Sequence, residues 1–126
     1  MQTLQVVIVD DDDLALGTLQ RIVTKWGYDV VPFQRFEDAR AFLEHRAPDA
    51  LVVDVRLGSY NGLQLVHLAR QNSAHMTLVA ISGYDDHVLR AEAERAGAAY
   101  LVKPLALDDL KRLLPEPTKG PAPSTT

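Results

Sequence analysis

Five short runs of β-branched and apolar residues recur along the chain, each followed by a stretch of helical length. They are Leu4–Val9, Tyr28–Val31, Ala50–Val53, Leu78–Ile81 and Tyr100–Val102. Continuous apolar runs this short read as strands buried on both faces. The intervening segments carry a helical period instead: Leu19, Ile22, Val23 and Trp26 share one face, as do Phe36, Ala39 and Leu43, and then Leu107, Leu110 and Leu114. Gly27 and Gly97 stand where two of these helices are expected to stop. Strand–helix alternation repeated five times requires crossover connections. The expected fold is therefore α/β, a five-stranded parallel sheet, doubly wound, with helices on both faces.

A chain of 126 residues is expected to form one domain. The segment PEPTKGPAPSTT holds four of the seven prolines (Pro115, Pro117, Pro121, Pro123) and no apolar period. It predicts a domain over 1–114, followed by a flexible Pro/Ser/Thr-rich tail or linker start over 115–126. Met1 just before the first strand reads as a natural N-terminus, so any further part is expected beyond Thr126. A net charge of −4 argues against a nucleic-acid clamp, which needs a basic stripe. The absence of cysteine excludes disulfides, thiolate zinc sites and cysteine catalysis. The apolar runs are strand-sized and no secretion signal opens the chain, so a soluble cytoplasmic domain without a membrane partner is expected.

In an open α/β sheet, ligands gather at the carboxyl ends of the strands. Asp10 to Asp13 follow the first run, Asp54 the third, Ser82 and Gly83 the fourth, Lys103 and Pro104 the fifth. The second run ends in Val31–Pro32, with nothing ionisable, as an edge strand would. Carboxylates brought this close repel, and one must protonate unless a cation sits among them. With only carboxylate and carbonyl oxygens available, that cation is hard: Mg²⁺, with Mn²⁺ as the alternative. A divalent ion, a lysine and a hydroxyl around one carboxylate make a site for a phosphoryl group, with the carboxylate as nucleophile.

Each residue alone has a plainer meaning. Four aspartates in a row read as a solvated turn and helix cap, which is expected for Asp12 and Asp13. Asp54 alone is a turn residue, Ser82 a surface hydroxyl, Lys103 a solvated charge and Tyr100 a core aromatic with a wet tip. Gly58 and Asn61–Gly62 read as turn chemistry with no function of their own. His45, His67, His75 and His87 show no ligand spacing and are expected on the surface.

Taken together, Val9–Asp10–Asp11, the stretch from Asp54 to Gly62, Ile81–Ser82–Gly83 and Tyr100–Leu101–Val102–Lys103–Pro104 resemble the receiver domain of bacterial two-component response regulators. The resemblance covers residues 4–114 and implies the flavodoxin-like strand order 2-1-3-4-5. It implies Asp54 as phosphoacceptor and an Mg²⁺ site of Asp11, Asp54 and the backbone carbonyl of Arg56, with Asp10 acting mostly through a metal-bound water. Lys103 would bind a phosphoryl oxygen, Ser82 would be the switch hydroxyl and Tyr100 the switch aromatic, and the Lys103–Pro104 peptide would be cis. The chain departs from the family's common pattern in having Gly58 for proline and Ser82 for threonine. Arg56 and Tyr84, both large, occupy the variable positions that flank the phosphoryl group and are expected to obstruct the attacking water. Pro115 and Pro117 shorten the last helix, removing part of the surface the family uses to homodimerise.

The resemblance implies a switch that takes its phosphoryl group from a histidine kinase or histidine phosphotransfer protein and acts on a downstream protein partner. It assists its own phosphorylation and hydrolysis but turns over no external substrate. The alternative is a receiver-like interaction module that needs no phosphate, for which losing an acid, the lysine or the hydroxyl would be expected. A dehalogenase-type phosphatase would want an Asp where Arg56 stands.

Overall fold

The computed structural model describes residues 2–119. Five strands, β1 (Gln5–Val9), β2 (Asp29–Phe33), β3 (Ala50–Asp54), β4 (Thr77–Ser82) and β5 (Ala98–Val102), form one parallel sheet in the order β2-β1-β3-β4-β5. Helices α1 (Asp13–Lys25), α2 (Phe36–His45), α3 (Leu63–Asn72), α4 (His87–Arg95) and α5 (Leu107–Leu113) make the crossovers. The doubly wound α/β fold is the one the alternation predicts.

Strand parity divides the core in two. Val7, Val9, Leu51, Val53, Leu78, Ala80 and Tyr100 share a cluster with Phe36, Leu43, Leu63, Val66 and Ala93 of α2, α3 and α4. Val6, Ile8, Val52, Val79 and Ile81 share the other with Leu16 and Val23 of α1 and Leu110 of α5. Each fully buried Val or Leu contributes roughly 1.5–3 kcal/mol relative to exposure, so the central strands β1 and β3 fix the frame. β2 runs on through Pro32 to Phe33, two residues past the apolar run, because an edge strand tolerates a residue without an N–H.

Local signals set the helix ends. The Asp12 carboxylate accepts from the backbone N–H groups of Leu14 and Ala15 and caps α1, while Asp13 lies in the first turn. Gly27 and Gly97 take positive φ just beyond α1 and α4. The Arg70 guanidinium donates to the carbonyls of Ser73 and Ala74 after α3, and of Ala96 and Gly97 after α4. One planar cation thus closes two helix C-termini.

The structure holds the first residues of the expected tail, 115–119, against the domain. The Tyr28 hydroxyl donates to the Pro115 carbonyl, and the Leu4 N–H to the Pro117 carbonyl at 2.8 Å. Thr118–Lys119 then pairs antiparallel with Gln2–Thr3. Proline lacks a donor but keeps its carbonyl, so a proline-rich segment can still be strapped down as an acceptor. The remainder of the expected tail, residues 120–126, lies outside the described residues.

Arg70→Ala is expected to destabilise the fold by about 2 kcal/mol, read as a lower urea midpoint at unchanged slope. Arg70→Lys should recover little of it, because an ammonium cannot span the same carbonyls.

Candidate functional site

The parallel register decides where the polar residues fall. Val9 lies opposite Val53, Asp54 opposite Ile81, and Ser82 opposite Val102. The next residue along β1 is Asp10 and along β5 is Lys103, so Asp10, Asp54, Ser82 and Lys103 arrive together at the carboxyl end of the sheet. β2 ends there without an ionisable group.

Asp54 is buried at 8% exposure. Its Oδ2 accepts from Lys103 Nζ at 2.8 Å, and its Oδ1 accepts from the Arg56 N–H at 3.2 Å. Oxygens of Asp10, Asp11 and Asp54 lie within 4.8 Å of one another. Desolvation pushes the Asp10 carboxyl up from its ordinary range, and the charges of Asp54 and Asp11 add to this, against the Asp12 N–H and Lys103. Burial pulls the Lys103 ammonium down, but its hydrogen bond and charge interaction with Asp54, reinforced by Asp10 and Asp11, more than offset that. Asp10 still resists ionisation beside this ammonium, chiefly because it is desolvated. An all-oxygen donor set with surplus negative charge fits a hard divalent cation.

Around this cluster lies a cleft of about 310 Å³ lined by Asp11, Asp54, Arg56, Ser82, Tyr84 and Lys103. The Arg56 guanidinium sits 5.4 Å from the centre of the Tyr84 ring, so the two large residues meet across the mouth. The Ser82 hydroxyl accepts from the Tyr84 N–H at 3.1 Å. Tyr100 is buried beneath the Arg90 guanidinium, and its hydroxyl donates to the Tyr84 carbonyl at 2.8 Å. The Lys103–Pro104 peptide is cis.

Every side chain the sequence singled out for the site is thus brought to one end of the sheet, and the four histidines are exposed, His67 pairing with Glu92 at 3.0 Å. Two glycines taken for turn chemistry alone do more. A Cβ on Gly62 would lie 2.1 Å from the Asp54 carbonyl oxygen, so only glycine lets α3 start against the backbone of that residue. The Gly58 N–H donates to Asp11 Oδ2 at 2.8 Å. The Asn–Gly pair before an apolar helix was the available signal for Gly62; nothing local signalled the partner of Gly58.

The family model described as the response regulator receiver domain matches residues 6–114. The chain belongs to this family. The receiver domain is 31% identical over 109 residues to the photosynthetic apparatus regulatory protein RegA of Rhodobacter capsulatus, covering 86% of this chain and 59% of that protein. It is 33% identical over 107 residues to the transcriptional regulatory protein FixJ of Azorhizobium caulinodans, covering 82% and 49%. The chain therefore spans about half to three-fifths of these relatives. Among solved structures, a CheY-like receiver domain protein of Methanospirillum hungatei superposes with a TM-score of 0.82 at 26% identity, covering 88% of this chain and 90% of that one. No helix among the described residues of the receiver domain is long and apolar enough to cross a membrane.

Asp10→Asn keeps the Oδ1 that accepts from the Asp12 N–H at 3.0 Å and removes a desolvated charge. An acid whose folded pKa is raised costs stability once the pH exceeds its unfolded pKa. In EDTA at pH 7 the variant should therefore melt a few degrees above wild type, with the gap closing as the pH falls into the ordinary aspartate range. Differential scanning calorimetry across pH checks this.

Proposed function

We propose that the domain accepts a phosphoryl group on Asp54 from a phosphohistidine of a histidine kinase or histidine phosphotransfer protein, and that this changes its affinity for a downstream protein partner. What carries the proposal is Asp54: buried, gripped by Lys103 at 2.8 Å, and with the oxygens of Asp10 and Asp11 within 4.8 Å.

Asp10, Asp11, Asp54 and the Arg56 backbone carbonyl would hold Mg²⁺, or Mn²⁺ in its place. When bound, the ion offsets the charge of the carboxylates and of the incoming phosphoryl oxygens. A carboxylate oxygen of Asp54 attacks phosphorus in line, the P–N bond breaks, and the electron pair returns to the imidazole. Lys103, now donating to Asp54 Oδ2, turns its ammonium to donate to a phosphoryl oxygen instead. Ser82 only accepts from Tyr84 here, so its own O–H is left to donate to another oxygen of the phosphoryl group. Taking that role loosens the Ser82–Tyr84 bond while Tyr100 still holds the Tyr84 carbonyl, which links the phosphoryl group to the β4–α4 connection. Water attack on the acyl phosphate then returns the Asp54 carboxylate and inorganic phosphate. The domain serves its own transfer and hydrolysis and turns over no external substrate. No direct nucleic-acid contact by this chain is proposed.

Intact-protein mass spectrometry after incubation with acetyl phosphate and Mg²⁺ should show one added phosphoryl group, absent from Asp54→Asn and from an EDTA control. An unchanged mass, with no beryllofluoride binding either, would favour a phosphate-independent interaction module.

Arg56 and Tyr84 meet where the hydrolytic water must enter. Arg56→Ala combined with Tyr84→Ala should shorten the acyl-phosphate lifetime by about tenfold, on the order of 1.4 kcal/mol of barrier. Phosphate release after removal of the donor measures it, and an unchanged rate would clear both residues of that role.

A further inference from the structure

Asp11 differs from its partners in being exposed and lying past the end of β1. A carboxylate on an exposed connection ordinarily samples several rotamers and is a poor ligand until it is ordered. Here it is held. Its backbone carbonyl accepts from Gln34 Nε2 at 3.2 Å, and its Oδ2 accepts from the Gly58 N–H at 2.8 Å. The Gly58 amide is delivered by a small hairpin in which Arg56 pairs with Asn61 and Leu57 with Tyr60. Gly58 sits at its turn with φ +60°, a conformation proline cannot adopt.

Two packing contacts anchor the hairpin. Leu57 is buried in the core cluster of α2 and α3. On the other strand, the Tyr60 ring stacks on Phe36, the first residue of α2, with centroids 4.3 Å apart and planes 5° from parallel. Phe36 is buried, whereas Tyr60 is 41% exposed. An exposed aromatic flat against a buried one joins the hairpin to α2.

We propose that this hairpin is a clamp that presets Asp11 as a cation ligand, with Gly58 and Tyr60 as positioning residues. The inference rests on the acidic cluster being a divalent-cation site. With Oδ2 pinned by Gly58, the other oxygen is presented to the cluster as a single ordered donor. The Gly58 N–H also offsets part of the repulsion among Asp10, Asp11 and Asp54. Tyr60 acts only through the hairpin.

Mg²⁺ titration by isothermal calorimetry tests it, with thermal melts in EDTA reporting the fold of each variant. Tyr60→Ala and Gly58→Pro should each weaken Mg²⁺ binding by about tenfold. Tyr60→Phe keeps the stack and loses only the hydroxyl's surface hydrogen bond with Glu37, so it should bind as wild type does. Because Tyr60 is partly exposed and lies outside the core clusters, Tyr60→Ala keeps the proposal testable even if Gly58→Pro fails to fold. Equal affinity across the folded variants would overturn the clamp alone. So would tighter binding by Tyr60→Ala, since the Gly58 N–H would then be a competitor of the cation. No binding by wild type would overturn the cation site itself, and the clamp with it.

Discussion

The pairing of β1 with β3 is the constraint on which the rest depends. Val9 lies beside Val53, so the next residues, Asp10 and Asp54, are forced into proximity at the edge of a buried sheet. A slip of one residue would turn every side chain of either strand to the other face and break both halves of the core. The apolar alternation that places Val6 and Ile8 on one face and Val7 and Val9 on the other therefore also sets the spacing of the carboxylates. Packing holds together charges that electrostatics would separate. The fold tolerates this because the Lys103 ammonium pairs with Asp54 and the desolvated Asp10 carboxyl resists ionisation.

This division of labour explains what could be read in advance. A buried parallel strand is a continuous apolar run, and the first polar residue after it marks the end of the sheet, so Asp10, Asp54, Ser82 and Lys103 could be placed without coordinates. What could not be read are contacts between segments that no periodicity connects. Gly58 and Asp11 are 47 residues apart, and their bond depends on a backbone donor, which every residue but proline carries. Gly62 looks like any turn glycine until the Asp54 carbonyl is found where its Cβ would go. The contacts of Pro115 and Pro117 are of the same kind. Composition reports that Pro115 and Pro117 cannot donate, but not that Tyr28 and Leu4 sit where their carbonyls can accept.

Tyr84 joins the two sides of the site. Its N–H goes to Ser82, its carbonyl receives the Tyr100 hydroxyl, and its ring lies against Arg56. Arg90 lies over the Tyr100 ring and also pairs with Asp85, so α4 is tied to the same connection. Under the proposed function, a change of partner at the Ser82 hydroxyl would reach side chains on both β5 and α4 through one residue. Such a linkage favours two discrete arrangements over a continuous drift, because Tyr100 is enclosed by packed neighbours.

The antiparallel pairing of Gln2–Thr3 with Thr118–Lys119 has a topological consequence. It brings the two ends of the described chain side by side at the pole of the sheet opposite Asp54. A short covalent bridge could join them, and the backbone could then be reopened in an exposed loop on the same pole without moving any strand end that builds the site. The charged pole of the receiver and this paired pole are separated by the full length of the β-strands, so a group joined at one need not crowd the chemistry at the other.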